Sequence, residues 1–306
     1  MTRKGRDMVA ITHPTPVATL GASIPLRDVM LTALAPVAFG TVYAATTLLL
    51  PPDRPLLAAA ARALPAGLLL VAFARTLPSG AWWWKSIVLS MLNIGAFFPL
   101  LFVAAYRLPG GLAATIGALQ PLIVAALAVP LLGLRTPRVV LVAAVAVASG
   151  VTLMTATART APDPLGVAAM IGATTLLALG IVLGKKWGSP VPPLTMTGWQ
   201  LAIGGLVLAP LMLVVEGMPP TLTTQNLLGF AYIGVIGTVL AYALWFRGVQ
   251  KLAPTSISLL STANPLVATL VGFLLLGQSL TPWQLTGFTI ALVALVASQA
   301  MNRTSK

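Results

Sequence analysis

The sequence predicts an all-α membrane protein of ten transmembrane helices, built as a five-plus-five inverted-topology repeat around a central cavity. Three observations carry this. Charge-free runs of span length follow one another along nearly the whole chain. Lys and Arg gather in alternate connections between those runs. Sliding the chain against itself by 144 residues brings Pro, Gly and aromatic positions of its two halves into register.

The solvent comes first. Of the 306 residues 58% are hydrophobic and 8% charged, where a soluble domain carries about a quarter charged residues. Such a chain belongs in a lipid bilayer. The spans read off as Val29–Pro52, Pro55–Ala74 (interrupted by Arg62), Ser86–Tyr106, Leu108–Leu134 and Val139–Ala158. Pro164–Gly184, Trp187–Val215 and Gly217–Phe246 follow. The last run, Leu252–Asn302, is too long for one crossing, and the turn-like stretch Gly277–Pro282 divides it in two. This gives a tail of residues 1–27 and two five-helix units, 28–158 and 164–302.

The connections are a few residues long, so neighbouring helices run antiparallel and no soluble domain is expected. With the N-terminus inside, only Arg54, Arg62, Arg107 and Arg159 of the 18 Lys and Arg fall outside, leaving 14 on the cytoplasmic side. That bias predicts cytoplasmic termini. Trp82, Trp83 and Trp84 beside Lys85 form an interfacial anchor. Residues 1–27 lack an apolar run of signal-peptide length and read as a cytoplasmic tail. Compact loops and no leader point to a bacterial inner membrane, and a monomer is the expectation.

Several functions are excluded. The net charge of +13 raises nucleic acid as a partner, yet no basic block exists beyond Arg3, Lys4 and Arg6, and orientation explains the rest. Zero cysteines and a single histidine, His13, remove disulfides, Cys nucleophiles and His- or Cys-based metal sites. No Gly-rich phosphate loop ends in Lys and Ser or Thr. The chain therefore carries no catalytic residues, cofactor or metal. Asp7, Asp28, Asp53, Asp163 and Glu216 all lie in tails, loops or span ends. Proton-coupled carriers place a titratable group along the path, so transport without a buried coupling carboxylate is predicted.

The repeat points to transport. Phe102 falls on Phe246, Arg107 on Lys251, Pro121-Leu122 on Pro265-Leu266, and Gly133 on Gly277. A shorter offset near the start of each half pairs Gly40 with Gly180, Arg62 with Gln200 and Gly67 with Gly205. Five is odd, so the second unit enters the membrane from the opposite side. Inverted copies let one design form inward-open and outward-open states by exchanging conformations. A channel would favour a ring of like residues around a symmetric pore. Phe39-Gly40, Arg62 and the matched Pro121 and Pro265 resemble the drug/metabolite transporter superfamily, specifically EamA-repeat exporters and the YddG type of aromatic amino-acid exporter. The resemblance covers about residues 28 to 302 and implies export of neutral and aromatic amino acids. Nucleosides, hydrophobic drugs and other metabolites are the rival cargoes.

Candidate residues follow from depth and chemistry. Gln120-Pro121 and Asn264-Pro265 sit near the middle of related spans. Each proline removes a helical hydrogen bond and crowds the carbonyl four residues back, at Gly117 and Ser261. The adjacent amides offer donors and an acceptor to a cavity, or else to a neighbouring helix. Asn93 and Phe97 share one helix face as cavity lining, with an interhelical bond as the alternative. Gly40 and Tyr43 line the site or serve packing. Phe98 and Tyr242 are symmetry mates proposed as gates at mirrored depths, with Pro121 and Pro265 as hinges. Arg62 either binds a substrate carboxylate or snorkels to the outer interface. Trp199 and Gln200 read as packing or interface residues.

Overall fold

The computed structural model describes residues 26–133, 138–156, 161–252, 257 and 260–301. The expected tail lies outside them apart from Leu26 and Arg27, as do Arg135, Arg159, Arg303 and Lys306 of the orientation count. The described residues form α1 (Leu26–Leu49), α2 (Pro55–Ala74), α3 (Trp82–Arg107), α4 (Gly110–Leu132) and α5 (Arg138–Ala156). These are followed by α6 (Pro164–Trp187), α7 (Pro193–Val215), α8 (Thr224–Lys251), α9 (Ala263–Leu276) and α10 (Pro282–Met301). All but α5, α9 and α10 are long and apolar enough to cross a membrane, and those three contribute shorter apolar stretches. No strand occurs among the described residues. The architecture is that of an all-α membrane protein.

Local sequence sets the ends. Pro55, Pro164 and Pro193 occupy the first position of their helices, where the missing N–H costs nothing and φ is already helical. α4 and α9 stop at Gly133 and Gly277, whose φ values of 67° and 63° are open to glycine without strain. Asp163 caps α6 by accepting the N–H groups of Leu165 and Gly166. The N-terminus of α2 is capped from far away. Glu216, just after α7, accepts from Leu56 and Leu57 N–H at 2.7 and 2.9 Å.

Two helices depart from α geometry at matched places. α3 is π-helical over Met91–Gly95 and α8 over Tyr232–Leu240; the 144-residue offset carries the first into the second. α4 breaks at Ala118–Leu119, and α9 is preceded by a turn at Thr262, the same offset from Ala118. Leu108 and Leu252, also so related, are both extended. Pro121 is therefore the second residue of a new helical segment and Pro265 the third. The expected kink in a continuous helix is instead a break. A first turn tolerates proline because its N–H groups have no intrahelical acceptor.

The closest pairings join the first five helices to the last five: α2 with α7, α5 with α10, α1 with α9 and α8, and α6 with α3 and α4. Between apolar helices in lipid the association comes from close packing, which small residues permit. At the α2–α7 crossing Gly67 faces the backbone of Leu201 and Ala202, and Gly205 faces the backbone of Leu64. A Cβ at either would overlap main-chain atoms that cannot swing aside. At the α5–α10 crossing Gly150 and Gly287 face one another in the same way. Gly67→Leu should therefore separate α2 from α7 and lower stability by about 1–3 kcal/mol or more. Thermal unfolding and size-exclusion profiles in detergent would reveal it. A variant as stable as the parent would show that the crossing has slack.

Candidate functional site

Arg62, in the second turn of α2, is 4% exposed. Its Nε donates to Thr238 Oγ1 at 2.8 Å and its Nη2 to the Gly237 carbonyl at 3.0 Å. Thr238 in turn donates to the Ile233 carbonyl, five residues back in the π-helical stretch, at 2.8 Å. The guanidinium stands 4.5 Å above the Phe98 ring of α3. Tyr43 of α1 and Tyr242 of α8 lie within electrostatic reach. Arg62 thus reaches inward to α8 and does not snorkel. The π-helical turn is what receives it, because its wider backbone presents Gly237 and Thr238 together.

A neutral counterpart sits across the repeat. Gln200 of α7, the match of Arg62, accepts at Oε1 from Asn93 Nδ2 at 2.7 Å. Asn93 lies in the π-helical stretch of α3 and is the match of Gly237. Ser90 Oγ donates to the Gln200 carbonyl at 2.6 Å. So α2 bonds to the π segment of α8, and α7 to the π segment of α3. Gln200 thus makes its own polar crossing and does not merely pack; its register with Arg62 is the sequence signal for it. Trp199 donates to the Thr76 carbonyl at 2.7 Å, an interface contact. The interhelical alternative for Asn93 is the bond observed for its amide N–H, while its Oδ1 is buried without a hydrogen-bond partner.

The remaining candidates spread around these two crossings. Gly40 packs against the main chain of Asn264, whose Oδ1 is also buried without a partner. Tyr43 is buried and touches Gly110 at the start of α4. Phe97 is half-buried and packs against two separate apolar clusters, bridging them. Gln120 is half-buried and Pro121 exposed, at the break in α4; Pro265 is buried. Phe98 is fully buried beneath Arg62 and in edge contact with Phe102. Tyr242 stacks on Phe246 and meets Phe39 at 5.4 Å. Phe98 lies against Arg62, while Tyr242 belongs to the aromatic group of Phe39 and Phe246. Arg62 and Phe98 are brought into contact, Asn93 meets Gln200, and Tyr242 packs with Phe39 and Phe246.

Two ion pairs close opposite ends of the bundle. Asp28, at the start of α1, meets Arg247, near the end of α8, at 2.5 Å. Arg107, at the end of α3, meets Asp163, at the start of α6, at 2.6 Å. Each pair has a small-residue contact beside it: Gly248 against Thr32, and Gly166 against Arg107 and Leu108. α1–α8 and α6–α3 are related by the repeat, so one tie is the counterpart of the other.

These features define a class, a multi-pass integral membrane transporter acting on small solutes. The chain belongs to the EamA-like transporter family, whose profile matches residues 26–156 and again 164–298. It is 45% identical over 274 residues to the protein PecM of Dickeya dadantii, covering 89% of this chain and 92% of that one. A chloroplastic WAT1-related protein of Arabidopsis thaliana is 31% identical over 84% of this chain and 66% of its own length. An uncharacterized inner membrane transporter, YedA of Escherichia coli, is 24% identical over 79% of this chain and 81% of its own. One crystal structure shares the fold, with a TM-score of 0.63 at 18% identity over 91% of this chain and 97% of that one. The family match makes the chain a transporter and not an enzyme.

Two outcomes are expected of the polar ties. A double-mutant cycle on Asn93→Ala and Gln200→Ala should return a coupling of about 0.6 kcal/mol and not above about 1.7 kcal/mol, read by chemical unfolding in detergent. At the exposed end the Arg107 guanidinium, with the Gly166 and Leu165 N–H groups, holds the Asp163 carboxyl below its ordinary value of 3.8. Its folded value is lowered, so its stabilisation is complete above 3.8 and is lost as pH falls through the lowered value. In an acid titration of thermal stability, parent and Asp163→Asn should differ above 3.8 and converge below the lowered value. Equal stability throughout would mean that the tie contributes nothing.

Proposed function

We propose that the chain is a carrier of neutral and aromatic amino acids, working by alternating access between two inverted five-helix units, 28–158 and 164–302. The two polar crossings, Arg62 to the π segment of α8 and Gln200 to that of α3, carry the reading. They put hydrogen-bonding groups inside the bundle, in repeat-related positions, between helices of the two units. The double match of the family profile and the backbone register between halves support the two units. Arg62, Asn93 and Asn264 offer polar contacts to the solute. Phe97 and Tyr43 supply apolar surface, Gly40 close approach and Gln120 a further amide. Phe98 and Tyr242 are assigned to the closing of the site, and the breaks at Pro121 and Pro265 to its hinges.

On this reading the two end ties part in turn. Opening one face breaks Asp28–Arg247 with its Gly248–Thr32 contact; opening the other breaks Arg107–Asp163 with its Gly166 contact. The Lys and Arg bias supports cytoplasmic termini in a bacterial inner membrane, and the protein acts as a monomer. The four acids among the described residues all lie at helix ends or connections, which supports movement down a solute gradient.

The test is uptake by proteoliposomes containing only this protein, with radiolabelled phenylalanine, tryptophan, methionine and uridine, with and without a pH gradient. Saturable amino-acid uptake indifferent to the pH gradient is expected. Uridine uptake alone would replace the cargo with a nucleoside. Acceleration by a proton gradient would establish antiport, and non-saturable flux a channel.

A further inference from the structure

Arg62 carries a charge that the packing of α2 does not require. Its repeat counterpart, Gln200, makes the equivalent crossing to a π-helical neighbour with a neutral amide. The guanidinium is nevertheless buried, and its two hydrogen bonds go to uncharged oxygens, Thr238 Oγ1 and the Gly237 carbonyl. The described carboxylates are committed elsewhere or lie at helix ends. Asp28 pairs with Arg247, Asp163 with Arg107, and Glu216 caps α2. Asp53 is in the turn between α1 and α2. Among the described residues no carboxylate comes within ion-pair distance of Arg62. An unpaired cation inside a bundle is costly, and such residues mark substrate paths.

The surroundings specify what would relieve it. A guanidinium has five N–H donors in a planar fork suited to a carboxylate, and Arg62 commits two of these groups to Thr238 and Gly237. Phe98 covers one face of it. The unpartnered buried acceptors elsewhere in the bundle, Asn93 Oδ1 and Asn264 Oδ1, are neutral. They can receive an N–H or O–H but cannot balance an ammonium charge against Arg62.

Building on the carrier reading above, we propose that Arg62 is the carboxylate anchor of the site and that the cargo class is small monocarboxylates with an apolar or aromatic body. The α-ammonium of an amino acid is tolerated and not required. A carboxylate lacking the ammonium is carried as a net anion, and the corresponding decarboxylated amine is refused.

The experiment compares phenylalanine, 3-phenylpropanoate and 2-phenylethylamine in proteoliposomes of the parent, Arg62→Gln and Arg62→Lys, with potassium and valinomycin setting the membrane potential. The parent should carry the first two and exclude the amine. An inside-positive potential should accelerate 3-phenylpropanoate and leave phenylalanine unchanged. Arg62→Gln should lose about tenfold to a hundredfold in carboxylate transport, and Arg62→Lys should recover part of it, since a point charge replaces the fork. Thermal melts check that both variants fold. If Arg62→Gln does not fold, thermal stabilisation of the parent decides: 3-phenylpropanoate should raise its melting temperature and 2-phenylethylamine should not. Transport of the amine alongside the acid, stabilisation by the amine, or undiminished acid uptake in a folded Arg62→Gln would overturn the anchor while leaving the carrier. Absence of uptake of any amino acid or carboxylate by the parent would overturn the carrier reading, and the anchor with it.

Discussion

A guanidinium held inside an apolar helix bundle constrains everything around it. Water is not there to solvate Arg62, so protein oxygens and an aromatic face must do so. An ideal α-helix has few main-chain oxygens to spare, because each interior carbonyl already accepts from the residue four on. The π-helical stretch of α8 answers this. Its widened turn lets Thr238 bond back to Ile233 and still receive Arg62, while the Gly237 carbonyl faces α2. The irregular backbone and the buried charge are thus one feature. Placing that irregularity toward protein and away from lipid is what makes it tolerable.

The same logic orders the rest of the bundle. Lipid tails are as apolar as leucine, so the helices gain little from burying apolar surface against each other. They gain by approaching until backbones touch, which Gly67, Gly205, Gly150 and Gly287 permit at the two self-related crossings. The tightest pairings run between the first five described helices and the last five, so neither set forms a core of its own. A movement of one unit relative to the other must therefore pivot at those glycine contacts and part contacts elsewhere. The ion pairs at the bundle ends stand where such parting would occur, Arg107–Asp163 exposed and Asp28–Arg247 partly buried.

Much of this is legible in the order of the residues. Charge-free runs locate the helices because a bilayer punishes unpaired charge. The offset of 144 residues relates the two π segments and the two glycine caps, although it says nothing of their geometry. Helix type is not legible: nothing in Met91–Gly95 or Tyr232–Leu240 announces a π turn, which arises from tertiary contacts across to α7 and α2. Arg62 reads as a charge inside a span, but its short distance from Pro55 makes snorkelling as natural as inward reach. Only the Thr238 and Gly237 acceptors, some 175 residues away, decide between them. Gln200, an amide in an apolar run, resembles any interface residue until its partner Asn93 is in place. Symmetry pairs Phe98 with Tyr242, yet their contacts differ: Phe98 lies under the guanidinium, and Tyr242 among aromatic rings.

The departure from symmetry carries the functional weight. Two related crossings, one cationic and one neutral, mean that duplication supplied the scaffold and divergence supplied the chemistry. The Gln200–Asn93 crossing is neutral: it leaves Asn93 Oδ1 an open acceptor but carries no charge to balance. The Arg62 crossing has its hydrogen bonds but not its charge balance. Exchanging the conformations of the two units moves the faces of the bundle that open. It does not move Arg62 to the other repeat, so under the proposed alternating access one fixed charge would be presented to both sides in turn. A solute that neutralises it would be favoured from either side, leaving the direction of flux to the solute gradient.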